Sequence, residues 1–164
     1  MNFRVGTGTD AHRLAPGRKL VLGGVHLRFA KGPVGHSDGD ALSHAICDAL
    51  LGAAALGDIG RHFPNTSSQY RNVSSLGFLR SVRDLITKKG WVIGNVDAVV
   101  ELERPKVGPY APKIRKNIAA ALGIRPAQVS VKAKTGEGMD AVGRGEAIRA
   151  QAVALIEKAT AKKK

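Results

Sequence analysis

The stretch HSDGDALSH, residues 36–44, sets two histidines and two aspartates within nine residues, just ahead of an apolar run. If a helix starts near Asp40, then Asp40, His44 and Asp48 recur at i, i+4 and i+8 on one face. Such a stripe reads either as a solvated face, with acids near a helix N-terminus where the dipole favours them, or as part of a metal site. A second fragment bears on the choice. In TDAHR, residues 9–13, Asp10 and His12 stand two apart at the end of a strand-like run, so both side chains leave the same side. Asp10, His12 and His44 then make a two-histidine, one-carboxylate set, which suits zinc with an open fourth position. Iron and manganese accept the same ligand types.

Other segments could handle anions. His36 and Ser37 lie in a Gly-flanked loop at a helix start, where backbone N–H groups suit an anion; the plainer reading is a capping loop. Asp58, between the glycines of GDIG, is a turn residue or a carboxylate that orients a ligand. His26 and His62 stand alone and read as structural. KAKTGEGMDAVGRGE combines Lys132, Lys134, Thr135, Glu137 and Arg144 with four glycines. A strand running into such a loop can gather backbone donors, a hydroxyl and cations around phosphate oxygens. Glu137 adds a hard oxygen for Mg²⁺. The alternative is a long Gly-rich surface loop. Lys106, in ERPK, is a weaker signal of the same kind.

The 164 residues suit one domain with its own core. Aromatic residues are only 4%, so that core must be built from Ala, Val, Leu and Ile. A single cysteine, Cys47, excludes an internal disulfide and a Cys-rich zinc site, and fits the cytoplasm. The N-terminal segment lacks a signal-peptide h-region and transit-peptide character, and no apolar run is long enough to span a membrane. Lys and Arg total 26 against 13 Asp and Glu, a formal charge of +13 that favours anionic partners. No Arg-rich segment carries interleaved aromatics, so nucleic acid finds charge but no stacking platform. The tail, KATAKKK, reads as a frayed end, giving a domain over 1–158 and a basic tail over 159–164.

The elements follow from periodicity. Phe3 to Asp10 alternates as a strand, and KLVLGGVHLRF reads as a short hairpin around Gly23-Gly24. AKGPVGHSDG reads as a loop, with Ser37 or Asp38 as the cap of the following helix, ALSHAICDALLGAAAL. A second helix over SSLGFLRSVRDLITKKG buries Leu76, Leu79, Val82, Leu85 and Ile86, with Ser74 or Ser75 as cap and Gly90 as stop. WVIGNVDAVVELE is a strand, PYAPKIRKNIAAALGI a helix closed by Gly123, and QVSVKAKT a strand. EAIRAQAVALIEK alternates as a strand although its Ala, Glu and Gln favour helix; the strand is preferred. The expected fold is α+β (mixed α/β): one domain, a roughly four-stranded main sheet with three helices on one face, and a small hairpin.

GTGTDAHR, GHSDGDALSHAICDALLGAAALGDIGRHFPNT, NVDAVVELERPK and KAKTGEGMDAVGRGEAI, in this order, resemble the 2-C-methyl-D-erythritol 2,4-cyclodiphosphate synthases, from Val5 to about Lys158. The resemblance implies closure of 4-diphosphocytidyl-2-C-methyl-D-erythritol 2-phosphate to a cyclic diphosphate with release of CMP, in non-mevalonate isoprenoid synthesis. It implies zinc on Asp10, His12 and His44, and Mg²⁺ or Mn²⁺ on Glu137. His36 and Thr135 would stabilise the transition state, and Ser37 would contact phosphate. Asp58, Ile59, Gly60, Phe63, Asn65 and Ser67 would meet the methylerythritol, Leu102, Lys106 and Lys134 the cytidine, and Arg144 the phosphate end. It further implies a homotrimer with sites at subunit interfaces, and a small-molecule partner rather than nucleic acid or membrane. The chain is short for a fusion to the preceding cytidylyltransferase. Two departures stand out: Asn65 where the family commonly has Asp, and Met139-Asp140-Ala141 where LGF is common. Two other readings of the same residues are a metallo-phosphoesterase, which would release phosphate or a linear product, and a basic RNA-binding domain, whose binding would be salt-sensitive and metal-free.

Overall fold

A computed structural model describes residues 2–64, 66–70 and 73–159. Three long strands make its frame: β1 (Phe3–Pro16), β5 (Trp91–Glu101) and β7 (Ala147–Lys158). With the shorter β4 (Lys31–Pro33) and β6 (Val129–Lys134) they form a five-stranded sheet in the order β4-β1-β7-β5-β6. β7 runs antiparallel to both neighbours, while β5 and β6 are parallel. The strands β2 (Leu20–Leu22) and β3 (Val25–Leu27) make the separate hairpin expected at Gly23-Gly24. The last element is a strand. Ile148, Ala150, Ala152, Ala154 and Ile156 are all buried on one face, and that period-2 burial overrides the helix propensity of the segment.

The helices are α1 (Ala41–Ala53), α2 (Ile59–His62), α3 (Ser75–Lys88), α4 (Ala111–Leu122) and α5 (Asp140–Gly143). The three long ones are those expected, and α2 and α5 are single turns within segments read as loops. α4 ends at Gly123, whose φ of 69° gives the left-handed C-cap. Two expectations need correction. The segment AKGPVGHSDG is not wholly a loop: Lys31–Pro33 pairs with Leu14–Pro16, so β1 runs past Asp10 and gains a short edge partner, making the sheet five-stranded. The cap of α1 is Asp40, not Ser37 or Asp38. Its carboxylate is fully buried and accepts hydrogen bonds from Ser43 N (3.1 Å), Ser43 Oγ (2.8 Å) and Gly24 N (3.0 Å), tying the helix start to the hairpin. Far from being solvated, this acid is where the loop is nailed down.

α1 lies directly on β1 because two strand residues lack side chains. A Cβ on Gly6 would come within 2.1 Å of Ala49 O, and one on Gly8 within 2.1 Å of Ala45 O. Helix and strand backbones therefore touch, and α1 is buried nearly all round, with Leu42, Ile46, Leu50 and Leu51 fully covered. The opposite face of the sheet carries Val5 and Val153 in the open, 58% and 40% exposed. Gly8→Ala must push α1 off the strand. It is expected to cost at least about 1–3 kcal/mol in urea unfolding, and an unchanged midpoint would mean the contact is not as tight as described.

Candidate active site

The close packing of α1 on β1 brings together three side chains that the sequence separates. Asp10 and His12 project from the helix-facing side of β1, and His44 comes down from the first turn of α1. Asp10 Oδ2 lies 2.8 Å from His12 Nε2 and 2.9 Å from His44 Nδ1, and the two nitrogens are 3.4 Å apart. Ligand atoms bound to a tetrahedral ion at about 2.0–2.1 Å would be about 3.3 Å from one another. In type and size these three groups could hold a metal ion.

The hydrogen bonds around it agree. His12 Nδ1 is 3.0 Å from the carbonyl of Val34. A carbonyl can only accept, so Nδ1 holds a proton, and Nε2, which without an ion can donate a second proton to Asp10 Oδ2, is the nitrogen free to give its lone pair to a metal. Burial would raise the Asp10 carboxyl, but hydrogen bonds from His12 and His44, with their charge, outweigh it and hold it well below the usual carboxylate range. His12 moves the other way. Its hydrogen bond to Asp10 raises it, burial opposes, and the Asp10 charge and the Val34 carbonyl add to the rise.

These groups floor a cavity of about 300 Å³ lined also by Val34, Gly35, His36, Ser37, Ile59, Gly60, Phe63, Tyr70 and Phe78. His36 Nε2 donates to Ser67 O at 3.2 Å, which fixes the ring and ties the loop to the 64–67 segment. Arg18 braces the same loop from behind, donating to Pro33 O (2.7 Å) and Gly35 O (3.2 Å). Asp58 caps α2, accepting from Arg61 N at 3.0 Å, so its carboxylate is a turn device while Ile59 and Gly60 face the cavity. Asp48, on α1, accepts from Ile59 N at 2.7 Å and so anchors α2 to the helix that carries His44. Phe63 stacks on Phe78 with ring centroids 4.6 Å apart, and Tyr70 meets both edge-on.

Lys106, Lys134, Thr135, Glu137 and Leu102 gather elsewhere, with Val107, Gly108, Pro109 and Ala133, around a second cavity of about 380 Å³ where β5 and β6 end. The Thr135 hydroxyl donates to the Glu137 carboxylate. Glu103 holds this turn by accepting from Gly136 N at 2.9 Å. Arg144 lines neither cavity; it pairs with Glu146 on the surface. Asn65 lies outside the described residues. Tyr70, Phe78 and Glu103 are not among the residues expected at either cavity. Phe78 had a signal, since it shares a helical face with Leu79 and Val82; Glu103 had none.

Proton and metal must compete for His12, because both need the lone pair at Nε2. With its titration raised, His12 stays protonated to higher pH than a free imidazole. Apparent zinc affinity is therefore expected to climb about tenfold per pH unit below that titration and to flatten above it. Titrations of the metal-free protein across about pH 5 to 8 check this, and a flat profile would remove His12 from the ligand set.

Both cavities and all of the sheet but its last residue, Lys158, fall within residues 3–157, which match the profile of the YgbB family. A 2-C-methyl-D-erythritol 2,4-cyclodiphosphate synthase of Desulfosudis oleivorans is 56% identical over 94% of this chain and 92% of its own length. Another, of Syntrophomonas wolfei, is 53% identical over 96% of this chain and all of its own. Among solved structures, a CDP complex of IspF from Plasmodium falciparum superposes with a TM-score of 0.85 at 38% identity, covering 97% of this chain and 98% of the other. The bifunctional IspDF of Campylobacter jejuni gives 0.91 at 33% identity, covering 95% of this chain and 42% of that longer one. The chain belongs to the YgbB family, that of the 2-C-methyl-D-erythritol 2,4-cyclodiphosphate synthases.

Proposed function

We propose that the protein closes 4-diphosphocytidyl-2-C-methyl-D-erythritol 2-phosphate to 2-C-methyl-D-erythritol 2,4-cyclodiphosphate and CMP, as a lyase of non-mevalonate isoprenoid synthesis. The observation that carries the reading is the convergence of Asp10, His12 and His44 on one floor, beneath His36 and Ser37, in a chain of this family. In the reaction an oxygen of the substrate's 2-phosphate forms a bond to the β-phosphorus, and the bond from that phosphorus to the bridging oxygen breaks, so CMP leaves with it. The nucleophile belongs to the substrate, so the protein's part is positioning and charge neutralisation.

Asp10, His12 and His44 would hold zinc, which supplies Lewis-acid polarisation of the β-phosphate when bound. His36, fixed by Ser67 O, and Ser37 meet phosphate oxygens, and Thr135 joins His36 at the transition state. Glu137 would hold Mg²⁺ or Mn²⁺, which would supply charge neutralisation of the substrate's diphosphate. Ile59, Gly60, Phe63 and the 64–67 loop, with Asp58 and Asn65, serve the methylerythritol. Leu102, Lys106 and Lys134 frame the cytidine pocket, and Arg144 serves the phosphate end from outside both cavities.

Within one chain the two halves are too far apart. Asp10 pairs with Ala150, Ala150 with Val100 and Val100 with Ala133, so Asp10 and the end of β6 sit in one row across the sheet. Three strand spacings separate them, about 14 Å. A single diphosphate cannot touch both. Moreover, the cavity above the metal ligands has no Lys or Arg among its described lining residues, whereas Lys106 and Lys134 line the other. This supports a homotrimer in which each site joins the metal cavity of one subunit to the cytidine pocket of the next. The exposed apolar strip at Val5 and Val153 is a fitting surface for that assembly. Residues 1–158 form the catalytic unit and 159–164 a basic tail. The lone, unpaired Cys47 fits the cytoplasm, and no described helix is long and apolar enough to cross a membrane.

³¹P NMR of the metal-loaded protein with this substrate, beside a chelated control, is expected to show CMP and a cyclic diphosphate only with metal. Inorganic phosphate instead would make it a metallo-phosphoesterase, and an unchanged spectrum with salt-sensitive RNA binding would make it an RNA-binding domain. In the same assay His44→Ala is expected to lose both bound zinc and turnover. Lys106→Ala is expected to raise KM about tenfold or more with kcat little changed, since it removes binding rather than chemistry. Full turnover of a metal-free His44→Ala protein would sink the three-ligand assignment.

A further inference from the structure

The ring of His44 meets the metal floor with one nitrogen and a buried polar chain with the other. Nε2 lies 2.9 Å from Ser75 Oγ, at the first turn of α3. Ser75 Oγ in turn donates to Asp38 Oδ1 at 2.5 Å, and Ser75 N donates to Asp38 Oδ2 at 3.0 Å. Ser75 is fully buried. A carboxylate only accepts, and a hydroxyl has one proton to give. With that proton committed to Asp38, Ser75 Oγ can only accept from His44. Nε2 must therefore carry a proton, and Nδ1 is the nitrogen left to an ion, although without one Asp10 Oδ2, a carboxylate oxygen 2.9 Å away, favours a proton there too. A second hydroxyl, Ser37 Oγ, lies 3.1 Å from the same nitrogen and accepts from Gly39 N at 3.3 Å. Its own proton has no such fixed acceptor, so Ser37 is compatible with either tautomer and selects neither.

We propose that Asp38 and Ser75 are positioning residues for the metal centre: the Asp38–Ser75–His44 chain locks His44 in the Nε2–H tautomer and so keeps Nδ1 ready to bind the ion. The inference rests on reading Asp10, His12 and His44 as metal ligands. Asp38 is suited to the end of the chain because both of its oxygens meet donors, Oδ2 the Ser75 N–H and Oδ1 the Ser75 hydroxyl and, at 3.2 Å, Asp40 N. An amide there must turn its NH₂ toward at least one of these donors. Asp38→Asn therefore disturbs the chain with almost no change in shape. α3 thus reaches the site twice, through Ser75 at its first position and through Phe78, which lines the cavity.

The test uses the full-length protein stripped of metal, with Zn²⁺ as the only probe. Long-range ¹H–¹⁵N spectra report the tautomer of His44, and competition with a chromophoric chelator reports zinc affinity, for wild type, Ser75→Ala and Asp38→Asn. With zinc bound, wild type is expected to show His44 protonated at Nε2 and coordinated through Nδ1. Both variants are expected to bind zinc about 10–100-fold more weakly, with an unchanged His12 spectrum. Wild-type zinc affinity in both variants, or coordination of zinc through His44 Nε2 in the wild type, would overturn the proposal. The wild-type spectrum decides even if a variant does not fold. Failure of wild type to bind zinc at all would remove the metal reading and the proposal together, whereas tight wild-type binding with indifferent variants would remove the proposal alone.

Discussion

Contact between two backbones governs this molecule. Gly6 and Gly8 let α1 rest on β1 at a distance that no side chain would allow, 2.1 Å from where each Cβ would stand to a helix carbonyl oxygen. The geometry of the first cavity's floor is downstream of that approach. Asp10 and His12 lie farther along the same face of β1, and His44 occupies the first turn of α1, so the helix-to-strand distance sets the distance between imidazole and carboxylate. With α1 raised by a methyl group, the 2.9 Å separation of His44 from Asp10 would open and the three lone pairs would cease to converge.

Once α1 is seated, its acids fasten the loops around the site. Asp40 accepts from the hairpin at Gly24, Asp48 from α2 at Ile59, and Asp38, just ahead of the helix, from α3 at Ser75. Each carboxylate ends at a backbone N–H of a different element. Charge is expensive to bury without such donors, and the costs show in Asp40 and Asp48, whose carboxyls are pushed up chiefly by burial although the donors pull them back. The acids in an otherwise basic chain are thus mostly framing. Only Asp10, among those around the first cavity, presents its oxygen to the two histidines, and it is the one whose carboxyl is held low.

This division explains what could be read from the sequence. The three long helices, the hairpin and the alternating strands are written in local periodicity, and even the Ala-rich final strand declares itself by its strict alternation from Ile148 to Ile156. β4 does not, because its three residues pair only through the late end of β1. The ligands Asp10, His12 and His44 were legible as residue types at suggestive spacings, and the family likeness assigned them. Ser75 was not legible as part of the site: a serine opening a helix looks like a cap, yet α3 begins at Ser75 with Ser74 in the cap position, making no side-chain bond. Nor was Arg144 readable as a surface residue paired with Glu146, since a Gly-rich loop hides the direction of its side chains. Tertiary placement, not composition, decides such cases.

The sheet also sets a limit on what one chain can do. Thr135 and Glu137 follow β6 at one edge, whereas Asp10 and His12 belong to β1, with β7 and β5 between them. Strand spacing is a hard length, about 4.8 Å per step, and no local adjustment shortens three of them to the reach of one diphosphate. The cavity over the ligands supplies imidazoles, a hydroxyl and aromatic walls, while the lysines line the pocket at the far edge. The histidine-lined and the lysine-lined cavity are therefore built toward opposite edges of the same sheet. An arrangement of copies that lays the β6 edge of one against the β1 edge of another brings the halves together without moving a strand. In that arrangement the exposed apolar strip of the sheet and the incompleteness of each cavity have a single cause.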